Sequence, residues 1–186
     1  MAQGREPLRG VAGDLRFVTA SLPNGTGWTP SLPAGAVVPG RGFGAEAGAH
    51  VFVGPGRNRR LGLGATGLWS QGRATGLTPA PTVTTRFQAA APHASMNFGH
   101  AQGWSYLSIG VGMAKVTSEY VGGATTSPGW GTAIHYGGGA RWFVNERIAV
   151  SLDLRFWALT PRPATTARPS APATTRIAFG AGVAFR

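Results

Sequence analysis

Residues 130–157 read WGTAIHYGGGARWFVNERIAVSLDLRFW. In the first arm Trp130, Ile134, Tyr136, Ala140, Trp142 and Val144 alternate with Gly131, Ala133, His135, Gly137, Gly139 and Arg141. Asn145 and Glu146 mark a tight turn, and the return arm sets Ile148, Val150, Leu152, Leu154 and Phe156 against Ala149, Ser151, Asp153, Arg155 and Trp157. Successive side chains of a strand point to opposite faces, so a period of two on either side of a turn predicts an antiparallel hairpin. One of its faces is large and apolar. The other is small or polar and carries Asp153 and Arg155 at adjacent positions.

The same division recurs outward from this hairpin. Downstream, Ile177, Phe179, Ala181, Val183 and Phe185 alternate with Arg176, Ala178, Gly180, Gly182 and Ala184. Upstream, a strand over about 104–117 alternates Leu107, Ile109, Val111 and Met113 with Ser108, Gly110 and Gly112, and it pairs with one over about 82–98. Phe43 to Val53 and Leu61 to Trp69 form a further pair about a turn at Pro55 to Asn58. Leu15, Phe17 and Thr19 against Asp14, Arg16 and Val18 give the weakest of eight strands. In the strand over 82–98, Val83, Phe87 and Ala89 are odd while Ala94, Met96 and Phe98 are even. A β-bulge near Pro92 would return them to one face. Every second connection is long, which is the layout of an up-and-down barrel. An even strand number puts both chain ends on one side. The expectation is an all-β, closed eight-stranded antiparallel barrel over 14–186, with a periplasmic lead over 1–13.

Composition narrows what such a barrel can be. The 186 residues are 42% hydrophobic and 12% charged, about half the usual charged share, so charge does not cover the surface. The net charge of +11 rests on arginine, with Lys115 the sole lysine. The arginines are scattered and no nucleic-acid-binding motif accompanies them, so no nucleic-acid partner is expected. Without cysteine there is no disulfide, thiolate metal site or cysteine nucleophile. No run of about 18 apolar residues provides a transmembrane helix, but a transmembrane strand needs only about 9–11 residues. MAQGREPLRG has no apolar core, so an exported chain is expected here without its signal peptide.

A soluble barrel would turn Lys, Glu, Asp and Thr to water on its polar face. Here that face is dominated by Gly, Ala and Ser, which suits the narrow interior of an eight-stranded barrel and leaves no open channel. The apolar face is then the outside, in lipid. Aromatic residues fall near the strand ends of that face: Phe43, Trp69 and Trp130 on the long-loop side, and Phe98, Trp142 and Phe185 on the short-turn side. Interfacial girdles have this form. GFGAEAGAHVFVGPGRNRRLGLGATGLW, GWSYLSIGVGMAKV and GGGARWFVNERIAVSLDLRF resemble the glycine-rich hairpins of small bacterial outer-membrane barrel proteins of the OmpA/OmpX type. That resemblance covers about residues 14–186 and implies a bacterial outer-membrane location, among lipid and lipopolysaccharide. GAGVAF resembles the C-terminal signal read by the outer-membrane assembly machinery, with Gly180, Val183 and Phe185 as its elements, although Arg186 follows the usual terminal aromatic residue.

Parity places Asp14, Arg16, Glu46, His50, Arg86, His135, Arg141, Asp153, Arg155 and Arg176 inside, as a hydrogen-bonded network in which carboxylates and guanidiniums offset each other's desolvation. Five arginines against three carboxylates lead to the expectation that water or an anion enters the lumen. His50, His93, His100 and His135 are too dispersed in sequence to form a ligand motif, so no metal or cofactor is expected. The chain is read as a monomeric, non-enzymatic barrel with a structural or surface-interaction role, and the loops 23–41 and 160–173 offer arginines to lipopolysaccharide phosphates. The alternatives are a lipid A-modifying hydrolase and a soluble lipocalin-like carrier. The hydrolase rests on His93 and Ser95, within a run similar to the His-x-Ser-Asn of outer-membrane lipid A deacylases. Here Asn97 is displaced by one residue, and Leu107 stands where that family supplies a glutamate.

Overall fold

The computed structural model describes residues 10–25, 27–29, 32, 34–53, 59–77, 80–100, 102–123, 125–166 and 168–186, apart from the side chains of Arg59 and His100. Its strands are β1 (Val11–Ser21), β2 (Arg41–Val53), β3 (Arg59–Thr75), β4 (Thr82–His100), β5 (Gly103–Tyr120), β6 (Thr125–Thr126), β7 (Trp130–Phe143), β8 (Ile148–Leu159) and β9 (Thr174–Phe185). β1 starts at Val11, upstream of the boundary expected at 14. The N-terminal residues 1–9 and the turn expected at Pro55 to Asn58 lie outside the described residues. The strands pair antiparallel in the cycle β1–β2–β3–β4–β5–β7–β8–β9, and β9 returns to β1. Eight strands close the barrel, while β6 is a short ribbon against Ser118 and Glu119 of β5. Closure pairs every wall strand on both sides and leaves the wall itself without an open edge.

The chain ends and the connections β2–β3, β4–β5 and β7–β8 share one end of the barrel. The connections 22–40, 76–81, 121–129 and 160–173 share the other. Short turns mark the periplasmic end of such barrels and long loops the outer end. Between the two ends the wall is apolar on the outside. Leu15, Phe17 (63% exposed), Leu61, Leu63, Leu107, Ile109, Val111, Met113, Leu154 and Phe179 all point outward. On β5 this band lies between Ser105 and Lys115. About ten residues of about 3.3 Å each, tilted by about 40°, give a height of about 25 Å, that of a lipid-facing band. A water-soluble carrier would hide this face, because a contiguous apolar surface of this extent is not stable in water. The carrier reading is overturned here. Phe43, Trp69, Trp130, Trp142 and Phe185 sit near the band's edges with their side chains exposed, and Phe98 is half-buried on the same face of β4.

The bulge expected near Pro92 is absent. β3 and β4 hold one register from Arg59 opposite Phe98 to Thr75 opposite Thr82. β4 and β5 hold one register on both sides of Pro92, with Ala90 opposite Met113 and His93 opposite Gly110. Odd residues of β4 therefore face the lumen along its whole length, and Val83 and Phe87 are fully buried there. What changes along β4 is the surroundings. Above the apolar band the outward positions Arg86 and Gln88, both half-buried, meet a polar medium. The lumen beside them is closed by an apolar cluster that includes Val18, Leu22, Trp28, Leu68, Phe87, Val116, Trp157 and Leu159.

Candidate functional site

The lumen is layered. At the periplasmic end Ala12, Trp104 and Tyr106 pack with Phe52 and Phe143. At the outer end Trp28, from the β1–β2 connection, and Ala171, from the β8–β9 connection, fold into the barrel mouth and join the upper cluster. Between these two plugs lies a charged layer. Arg16 Nη1 is 2.7 Å from Glu46 Oε1, and Arg16 Nη2 is 2.7 Å from Asp14 Oδ1. Arg16 Nε donates to Ser151 Oγ at 2.8 Å and Nη2 donates to Tyr106 Oη at 3.0 Å. Arg155 Nε lies 2.7 Å from Asp153 Oδ1 and 3.3 Å from Glu46 Oε1. Arg141 grips Asp14 with two donors, Nε at 2.8 Å and Nη2, and its guanidinium lies 4.3 Å from the Tyr106 ring centroid. The Tyr106 hydroxyl donates to Asp153.

Arg16, Glu46, Arg141, Asp153 and Arg155 thus converge as parity predicts. One inward assignment and two network assignments need correction. Arg86 points outward, where it pairs with Glu119 at 2.7 Å and donates to Gln71 Oε1 at 2.9 Å. The missing bulge is the reason, since an even position on β4 faces away from the lumen throughout. Arg176 faces inward but stands at the outer end, where it donates to the Leu22 carbonyl at 3.0 Å and to Thr174. His135 is fully buried beside Trp157 and His93, with ring centroids 4.9 and 5.6 Å away, and is outside the ion-pair layer. With Arg86 outside and Arg176 at the outer end, three arginines face three carboxylates and the layer itself is charge-neutral, without the expected surplus of arginine. Tyr106 was missed because its phenol sits on a face read only as glycine and serine.

His93 and Ser95 also face the lumen. Ser95 Oγ accepts from Asn97 Nδ2 at 3.0 Å, and Ser95 sits opposite Ser108 in the register. Ser95 Oγ also donates to the Gly62 carbonyl at 3.5 Å, and it points away from lipid.

The outer rim carries a second arrangement. Trp69, Gln88, Lys115 and Trp130 follow one another along a single register row on β3, β4, β5 and β7. One step further out, Gln71, Arg86 and Thr117 form the next outward row. A polar and basic strip thus stands directly above the aromatic edge of the apolar band. Among the described residues, the outer end holds Arg41, Arg73, Arg86, Lys115, Arg162, Arg168 and Arg176 against Glu119 alone. Arg162 ties the connections together: it donates to the carbonyls of Pro128, Gly129 and Ala114 and lies 5.8 Å from the Trp28 ring centroid. Partial burial and the neighbouring Arg168 lower its pKa below the usual guanidinium value.

No family model and no curated protein sequence matches the chain. Solved structures do. Ail, the attachment invasion locus protein of Yersinia pestis, superposes with a TM-score of 0.58 at 10% identity, over 96% of this chain and 99% of that one. The structure of Ail in complex with the heparin analogue sucrose octasulfate gives a TM-score of 0.59 at 9% identity, with the same coverage. Neisserial surface protein A gives a TM-score of 0.54 at 14% identity, over 94% of each chain. The chain therefore has the fold of the small eight-stranded outer-membrane barrels.

Proposed function

We propose that the chain is a non-enzymatic, monomeric outer-membrane barrel whose outer rim binds the phosphates of lipopolysaccharide. The observation that carries this reading is the strip of Gln88 and Lys115 between Trp69 and Trp130, with Arg86 and Arg73 just beyond it. Aromatic side chains settle at the boundary between hydrocarbon and headgroups. Cations immediately above them stand at the depth of the anionic headgroups of the outer leaflet. Arginine and lysine bind phosphate through charge-assisted hydrogen bonds. Arg86 is partly neutralised by Glu119, whereas among the described residues Lys115 has no carboxylate partner. The complex of Ail with the heparin analogue sucrose octasulfate is consistent with a barrel of this fold binding an anionic group. Gly180, Val183 and Phe185, in the last strand, serve as the assembly signal in this reading.

The test is a titration of the refolded barrel in detergent micelles with lipopolysaccharide and with its dephosphorylated form. Replacing Arg73, Arg86 and Lys115 together by alanine is expected to weaken binding at least about tenfold and to flatten its dependence on salt, since fewer charges then contribute. Arg147→Ala, at the periplasmic end, is expected to leave binding unchanged. Equal affinity for the dephosphorylated form, or an unaffected triple variant, would overturn the assignment. The hydrolase reading has less support, because Ser95 is engaged with Asn97 inside the lumen.

A further inference from the structure

Histidine and glycine alternate along one continuous hydrogen-bonded row of the lumen wall. His50 lies opposite Gly64, Gly64 opposite His93, His93 opposite Gly110, and Gly110 opposite His135. All five residues face inward, because residues opposite one another in a sheet share a face. Gly110 lets the two histidines beside it converge. A Cβ added there would lie 2.5 Å from His135 Nε2 and 2.9 Å from His93 Cβ. The two rings stand 5.6 Å apart, centroid to centroid, and are nearly perpendicular at 87°. His135 is 0% exposed, and neither of its nitrogens has a hydrogen-bond partner; His93 Nδ1 has none either. A buried imidazole ordinarily has its nitrogens satisfied.

From this juxtaposition we infer that His93 and His135 form a two-imidazole site for a divalent transition-metal ion of the zinc, nickel or copper class. Imidazole nitrogens bind such ions at about 2.0–2.1 Å in tetrahedral sites, which places the centroids of two ligating rings about 5 Å apart. The observed spacing is within a small side-chain adjustment of that figure. Among the described residues no third histidine or carboxylate converges with this pair, so water completes the coordination. A cation can be accommodated because the adjacent arginine, Arg155, is already paired with Asp153 and Glu46. Oxygen-seeking ions such as calcium and magnesium would be refused, since the pair offers nitrogen alone.

The experiment refolds the untagged full chain in detergent in the presence of cobalt(II), a visible stand-in for zinc, and removes excess metal. The expected result is one ion per barrel with a d–d absorption band, displaced by zinc and not by magnesium. His93→Ala and His135→Ala should each weaken binding at least about tenfold, whereas His50→Ala should retain it. Each variant's compact, boiling-sensitive band on a gel distinguishes loss of the ligand from failure to fold. If His135→Ala does not fold, His93→Ala and His93→Gln carry the test. Absence of a cobalt band in the folded chain, or a band that survives His93→Ala, would overturn the site.

Discussion

At the scale of single residues, the two arginines Arg16 and Arg86 were assigned alike from parity and have opposite surroundings. Arg16 is sealed in the lumen between Asp14 and Glu46. Arg86 is on the outside, its side chain 35% exposed beside Glu119. Removing one partner of a buried ion pair strands the other in a medium of low polarity, at a cost of about 3–5 kcal/mol. Removing a partner from an exposed pair costs about 0–1 kcal/mol. Arg16→Met should therefore lower the urea midpoint of unfolding steeply in lipid vesicles, read by the mobility of the compact band, while Arg86→Met should barely move it. Equal effects would place both arginines in one environment and contradict the register of β4. Most of the ion-pair layer was legible from alternation alone, because Arg16, Glu46, Arg141, Asp153 and Arg155 each belong to a strand whose apolar face was unambiguous. Which charges pair was not legible. Asp14 meets Arg141 across 127 positions of sequence, a neighbourhood created only when the barrel closes.

At the scale of the element, β4 is where sequence reasoning went astray. The rule that apolar residues face outward holds only while the outside is lipid. β4 runs from Thr82 to His100 and is long enough to leave the apolar band. Beyond it the solvent outside becomes polar and the packed apolar interior becomes the drier side. The shift in pattern between Phe87 and Ala94 thus marks the membrane boundary, and Pro92 simply takes an outward position within the band. Single-cysteine spin labels on an otherwise unaltered chain can check this. A label at Gln88 should be mobile and accessible to a polar relaxation agent, a label at Ala94 accessible to oxygen in the lipid, and a label at Phe87 accessible to neither. A lipid-exposed label at Phe87 would restore the bulge. The histidine–glycine row was hidden for a related reason, since its members come from five strands and align only once the register is known.

At the scale of the whole molecule, the formal charge of +11 is distributed to a purpose. Among the described residues the lumen layer is neutral, and the other positive side chains lie toward the two ends, where they can meet phosphate or water. Desolvation explains the division: an unpaired guanidinium inside the barrel would be costly, whereas the ends are wet. The neutral layer lies between Trp28, Phe87 and Trp157 above and Phe52, Trp104 and Phe143 below, so an ion crossing the barrel would meet two apolar constrictions and a set of committed ion pairs. The wild-type chain in a planar lipid bilayer should show no steady ionic conductance. Trp28→Ala alone should show none either, because the charged layer and the lower plug stay in place. Conductance should appear only when the layer itself is opened, as in a variant combining Trp28→Ala, Trp104→Ala and Arg16→Ala. A steady current through the wild-type chain would mean that the side chains of the layer exchange partners fast enough to pass ions, and that the lumen is a pore.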